Sequence, residues 1–135
     1  MALQLSVAVR NAMLDAIETT IGTSAVLKIR TGAPPASVAT ADSGTVLATL
    51  TLPSDWMAAA SGGSKAKNGT WEDASADAAG TAAHYRIYAS DGTTAHLQGT
   101  VTATGGGGDL TVDNVVFAAG QSFSITSYSW SAVNS

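Results

Sequence analysis

Short runs of β-branched and aromatic residues recur along this chain roughly every ten residues, each bounded by Gly, Pro, Asn-Gly or Asp-Gly. That rhythm is the mark of many short strands packed face to face, and it restricts the fold to a mainly β architecture. Residues 25–30 (AVLKIR) read as a strand, with Lys28 and Arg30 alternating to the wet face. Residues 45–52 (TVLATLTL) form the clearest strand, stopped by Pro53. The stretch from Ala33 to Gly44 is small and polar and reads as a loop, and Asp55 to Ala60 as a short strand or a turn. Asn68-Gly69 and Asp91-Gly92 are tight-hairpin signals. Strands are expected over 69–74, 83–89, 95–101, 109–112 and 114–117, with a flexible glycine loop at 105–108. A long closing strand over 121–133 carries Phe123, Ile125, Tyr128 and Trp130. The expectation is an antiparallel β-sandwich of about eight strands, either jelly-roll, immunoglobulin-like or a looser Greek key.

One segment breaks the rhythm. Ser6 can cap a helix that Gly22 ends. Val7, Leu14, Ile17 and Ile21, joined by Met13, make an apolar stripe, while Asn11, Asp15, Glu18 and Thr19 fall mostly elsewhere. Arg10, on or beside the stripe, must snorkel outward or pair with an acid. The chain of 135 residues fits one domain: an N-terminal amphipathic helix over 1–22, part of the same unit as a sandwich over 23–135.

Charged residues are 12% of the chain, against about a quarter in ordinary domains, and the net charge is −4. Such a surface suits contact with protein. The six basic residues are scattered, which argues against a nucleic-acid stripe. With no cysteine there is no disulfide or thiolate site. The first residues lack a basic stretch followed by a long apolar run, and no segment approaches the ~20 apolar residues of a span. Synthesis and folding in the cytoplasm are expected. The acidic polar face of the helix argues against a membrane surface.

The search for chemistry turns up no catalytic set. His84 and His96 flank the Asp91-Gly92 hairpin and could face each other, with Asp91 or Glu72 as a further ligand. Without a fixed carboxylate they read as ordinary cross-strand residues, so no metal or other cofactor is expected. Glu72 and Asp73, adjacent on a strand, point to opposite faces; with Asp77 they read as a solvated acidic loop. There is no Gly-x-Ser-x-Gly elbow. Gly105 to Gly108 is followed by neither Lys-Ser nor Lys-Thr and opens no helix, so it is no phosphate cradle. Asn68-Gly69-Thr70 matches a glycosylation acceptor but means nothing without a secretory route. Trp56, Trp71 and Trp130 read as core or interface anchors, with sugar stacking as the alternative. The candidate interface set is Val7, Leu14, Ile17, Ile21, Trp56, Trp71 and Trp130.

The chain resembles a family of small structural proteins of tailed bacteriophages. The likeness rests on residues 8–11 (AVRN) leading into 14–18 (LDAIE), then 27–32 (LKIRTG), 44–50 (GTVLATL) and 80–87 (GTAAHYRI). It closes with 97–101 (LQGTV) and 118–121 (AAGQ). The resemblance implies a non-enzymatic virion component, either a capsid decoration (cement) protein stabilising the head shell or a tail, baseplate or fibre-associated subunit. It implies the major capsid protein or other virion proteins as partners and self-association, with a trimer favoured, at a closed symmetry position. A carbohydrate-binding module using the tryptophans is the reading from another class.

Overall fold

β-branched residues such as Val26, Ile29, Val46 and Thr49 favour the extended strands of the central sheet. In the computed structural model, which describes residues 3–132, the order is α1 (Val7–Ile21), β1 (Val26–Thr31), β2 (Val46–Thr51), β3 (Ser64–Ala66), β4 (Trp71–Asp73) and β5 (Gly80–Tyr88). β6 (Ala95–Ala103), β7 (Leu110–Val112), β8 (Val116–Phe117), β9 (Phe123–Ile125) and β10 (Ser129–Ser131) follow. The main sheet runs β2-β1-β5-β6-β7, with β8 pairing on β5. Two two-stranded ribbons, β3 with β10 and β4 with β9, stand apart from it. The fold is mainly β with one N-terminal helix and a curled multi-strand sheet.

One face of the sheet presents Leu27, Ile29, Leu50, Tyr85 and Ile87 to the core. Trp56, Met57, Trp71, Ile125 and Tyr128 close that core from the other side, and Ile21 brings α1 into it. The opposite sheet face holds Lys28 and Arg30 beside Arg86 and His84, with Lys28 paired to Arg86 and Arg30 to His84. Expected to be wet, Arg30 is instead buried, because the 32–45 segment between β1 and β2 lies over it.

The described residues form ten strands where the sequence pointed to about eight. The closing strand is not continuous: residues 126–128 separate β9 from β10, and each half joins a different ribbon. Residue 133, the end of that expected strand, lies outside the described residues. Asn68-Gly69 makes no hairpin, since β3 and β4 pair with β10 and β9. The Asp91-Gly92 hairpin does join β5 to β6, but over a wider turn in which Asp91 accepts the backbone N–H groups of Thr93 and Thr94.

β7 runs parallel to β6, whereas the other pairings of the named strands are antiparallel. Parallel neighbours ordinarily need a crossover of about a dozen residues. Here residues 104–109 suffice because the glycine run folds back against β6. A Cβ on Gly106 would lie 2.7 Å from the Thr102 side chain, and one on Gly108 2.9 Å from the Thr102 nitrogen. The acidic loop also has a structural task. Asp73 accepts the Thr49 N–H at 2.9 Å and Asp77 the Thr49 hydroxyl at 2.7 Å, which caps the outer edge of β2.

Candidate interaction surface

The helix is held by polar groups as much as by apolar ones. Ser6 accepts the Val9 N–H at its start. At its end Gly22 donates to the Glu18 carbonyl and accepts from the Trp56 indole at 2.9 Å. Asn11, Asp15 and Glu18 share one side of α1 at i, i+4 and i+7. Their side-chain oxygens accept the backbone N–H groups of Gly63 at 2.8 Å, Ala60 at 3.1 Å and Met57 at 3.1 Å. Lys65 joins them, with Nζ 2.7 Å from Asp15 and 2.9 Å from Glu18. Enclosure works against its charge, but bonds to the two carboxylates outweigh that and raise the ammonium above its ordinary value. The Lys65 hydrogen bond, then the Ala60 N–H, lowers the Asp15 carboxyl in turn. Arg10 is partnered too, donating to the Ala132 carbonyl at 3.3 Å.

Leu14, Ile17 and Ile21 of the expected apolar stripe pack inward, but the charged residues turn to the β unit as well. Arg10, Asp15 and Glu18 are its only charged residues and all are engaged with the β unit. The solvent side carries Ala8, Val9, Ala12, Met13, Ala16 and Thr20, without a charge. Val9 is 45% exposed and Met13 50%. A surface helix of a monomer usually turns its charges outward. Beside this face run two shallow hollows that share Met13 and Ile17. One, of about 300 Å³, includes His96, and the other, of about 570 Å³, reaches Leu5 and Ala132.

The seven expected interface residues divide accordingly. Val7 is exposed, and Ile17 and Trp130 are half-buried. Leu14, Ile21, Trp56 and Trp71 are buried in the chain's own interior and are not open to a partner in this fold. Trp56 packs on Trp71 at 6.0 Å and on the edge of Trp130 at 5.7 Å, and Tyr128 joins Trp71 at 5.5 Å. Tyr128 also meets Tyr85, hydroxyl to hydroxyl, at 2.7 Å. Burial pushes the Tyr128 phenol up to about 12 and the Tyr85 phenol higher still. The Trp56 and Trp71 rings therefore offer no free face to a sugar. Val9 and Met13, both exposed, are not in the expected set; the signal for their exposure was the crowding of the helix's charges onto one side.

The histidines do not face each other. His84 is buried, with Nδ1 2.7 Å from the Gly32 carbonyl, while His96 is exposed beside α1. Among the described residues no group of three or more His, Cys, Asp or Glu is placed to hold a metal ion. No helix among them is long and apolar enough to cross a membrane.

A second polar cluster lies under the 32–45 segment. Asp42 Oδ1 accepts from Arg86 Nη1 and from the Tyr88 hydroxyl, both at 2.8 Å, and Oδ2 from Arg30 Nη2 at 3.0 Å. Arg86 also donates to Gln98 and to the Ser37 and Thr40 carbonyls, and Gln98 to the Pro35 carbonyl. Burial opposes ionisation of Asp42, but the Tyr88 hydroxyl and the two guanidinium groups outweigh it and hold the carboxyl below its ordinary value.

No protein-family model, curated protein or solved structure matches this chain.

Proposed function

We propose that the chain is a non-enzymatic structural subunit of a tailed-phage virion, made in the host cytoplasm and acting as a capsid decoration protein that stabilises the head shell. The observation that supports a protein-binding role is the uncharged outer face of α1, with Val9 and Met13 exposed and Met13 lining a shallow hollow together with Leu5, Leu14 and Ile17. All three charges of the helix are paired with the β unit, although Asp15 stays about half exposed, and this leaves an outer face suited to apolar contact. Burial of such area contributes ~25 cal/mol per Å², and many symmetric copies would sum it. The sequence resemblance supplies the virion setting. The partner is the major capsid protein, with self-association as a trimer. The finer architecture is an antiparallel sandwich of jelly-roll or immunoglobulin-like type, its second layer built from the two ribbons.

Placement on the tail, baseplate or fibre would use the same face at lower copy number. Titrating purified protein onto preformed heads lacking it tests the reading. Expected are saturation at a symmetry-defined number of copies and greater heat resistance of the shell. A V9E/M13E double variant should keep the monomer's stability within about 0.5 kcal/mol yet lose head binding. Binding to tails but not to heads would move the assignment to the tail. No binding to any particle part would refute the virion role.

A further inference from the structure

The 32–45 segment crosses the sheet as a strap with glycine at both ends, Gly32 at φ 78° and Gly44 at φ 74°. Its hold is mostly polar. Backbone carbonyls of Pro35, Ser37 and Thr40 and the Asp42 carboxylate meet Gln98 and the two arginines. The arginine side chains are 8% and 2% exposed, against 37% for Asp42. Lys28 flanks them, donating to the Gly92 carbonyl and lying over the Tyr88 ring, and His84 faces Arg30 across the strands.

The site has more donor capacity than its carboxylate uses. Two buried guanidinium groups share one acid. Arg30 Nε is buried without a hydrogen-bond partner, and its Nη1 reaches only the Gly44 carbonyl, at 3.5 Å. Buried charge that is imperfectly compensated costs stability, so such an arrangement calls for a reason. Planar guanidinium groups converging with a phenol hydroxyl are chemistry suited to a carboxylate.

We propose that Arg30, Arg86 and Tyr88 form a carboxylate-binding seat, that Asp42 occupies it as a tethered ligand, and that an acidic side chain of a protein partner replaces Asp42 when the strap lifts. The exchange is carboxylate for carboxylate, so the charge of the seat is unchanged. Because the strap is anchored by hydrogen bonds and ion pairs more than by apolar area, water and the incoming acid replace much of what it gives up.

The test empties the seat in the purified full chain and needs no particle, so it succeeds or fails separately from the virion assignment. In Asp42→Ala, with the nearly isosteric Asp42→Asn as the second variant should the first fail to fold, Tm is followed against sodium formate and against sodium chloride at equal ionic strength. A saturable rise on the order of 3 °C with formate alone is expected. It should be absent in the wild type and in a variant that also carries Arg86→Met. Equal response to chloride and formate in both Asp42 variants would overturn the seat. A capped tetraglutamate peptide, the second probe, should give the same rescue. It should also increase proteolytic cleavage within 33–43 of the wild type. Rescue by formate without either peptide effect would make the site one for small carboxylates and overturn the protein-partner part.

Discussion

At the scale of the residue, two positions carry consequences out of proportion to their size. Gly44 sits at φ 74°, where a Cβ would lie 2.0 Å from the Thr31 carbonyl oxygen. Gly44→Ala should therefore cost about 3 kcal/mol, from left-handed strain together with displaced backbone, measurable by urea denaturation. Lys65 is the counterion for both acids on the inner side of α1. Lys65→Met leaves those two carboxylates facing one another. Tm at pH 7 should fall on the order of 5–10 °C, and the deficit should narrow below about pH 4, where the lowered Asp15 carboxyl gives up its contribution. A deficit independent of pH would mean that Lys65 matters only as packing. Neither role was legible in the sequence: Gly44 ended a stretch read as a loop, and Lys65 was one of six scattered basic residues.

At the scale of the element, the edge of β2 shows how short polar side chains manage an exposed strand. The Asp73 carboxylate accepts the Thr49 N–H and the Asp77 N–H donates to the Leu47 carbonyl, so both residues occupy hydrogen-bonding positions that an incoming strand would need. Asp73→Ala should cost about 1 kcal/mol and speed hydrogen exchange at the Thr49 amide. Exchange unchanged from the wild type would show that the carboxylate does not protect this edge. The helix teaches the converse. Its boundaries were legible from Ser6 and Gly22, because caps are local chemistry. Its orientation was not, because Asn11, Asp15 and Glu18 face inward only where the backbone N–H groups of Met57, Ala60 and Gly63 wait for them.

At the scale of the whole molecule, charge and burial set a pH window. Asp15, Asp42 and Asp91 all have carboxyls lowered from 3.8 in the fold. Groups depressed in this way contribute stability that is present above about pH 4 and is lost as pH falls through their folded values. Tyr85, Tyr88 and Tyr128, the three tyrosines of the chain, are all raised above 10.0. Their contribution is complete below pH 10 and is lost as pH climbs toward about 12, where Tyr128 ionises. Absorbance at ~295 nm should thus show little tyrosinate in the native protein at a pH near 10, while the urea-unfolded chain is half ionised. Half-ionisation of the native protein at that pH would contradict the enclosed tyrosine cluster.

What the sequence determined by itself is whatever depends on near neighbours. The helix limits, the mainly β texture, the strands expected at 25–30, 45–52 and 83–89 and found at 26–31, 46–51 and 80–88, and the Asp91 turn all follow from capping, alternation and turn chemistry over a few residues. What only the tertiary structure decided is pairing and enclosure. Whether Asn68-Gly69 turns a hairpin depends on where β9 and β10 lie. Whether Arg30 is wet depends on a strap that folds back over it, and whether Trp56 and Trp71 are surface or core depends on β9, β10 and Tyr128 between them, more than fifty residues further along the chain. A side chain's type restricts its own backbone, but its surroundings are supplied by residues distant in the chain, and no local pattern encodes those.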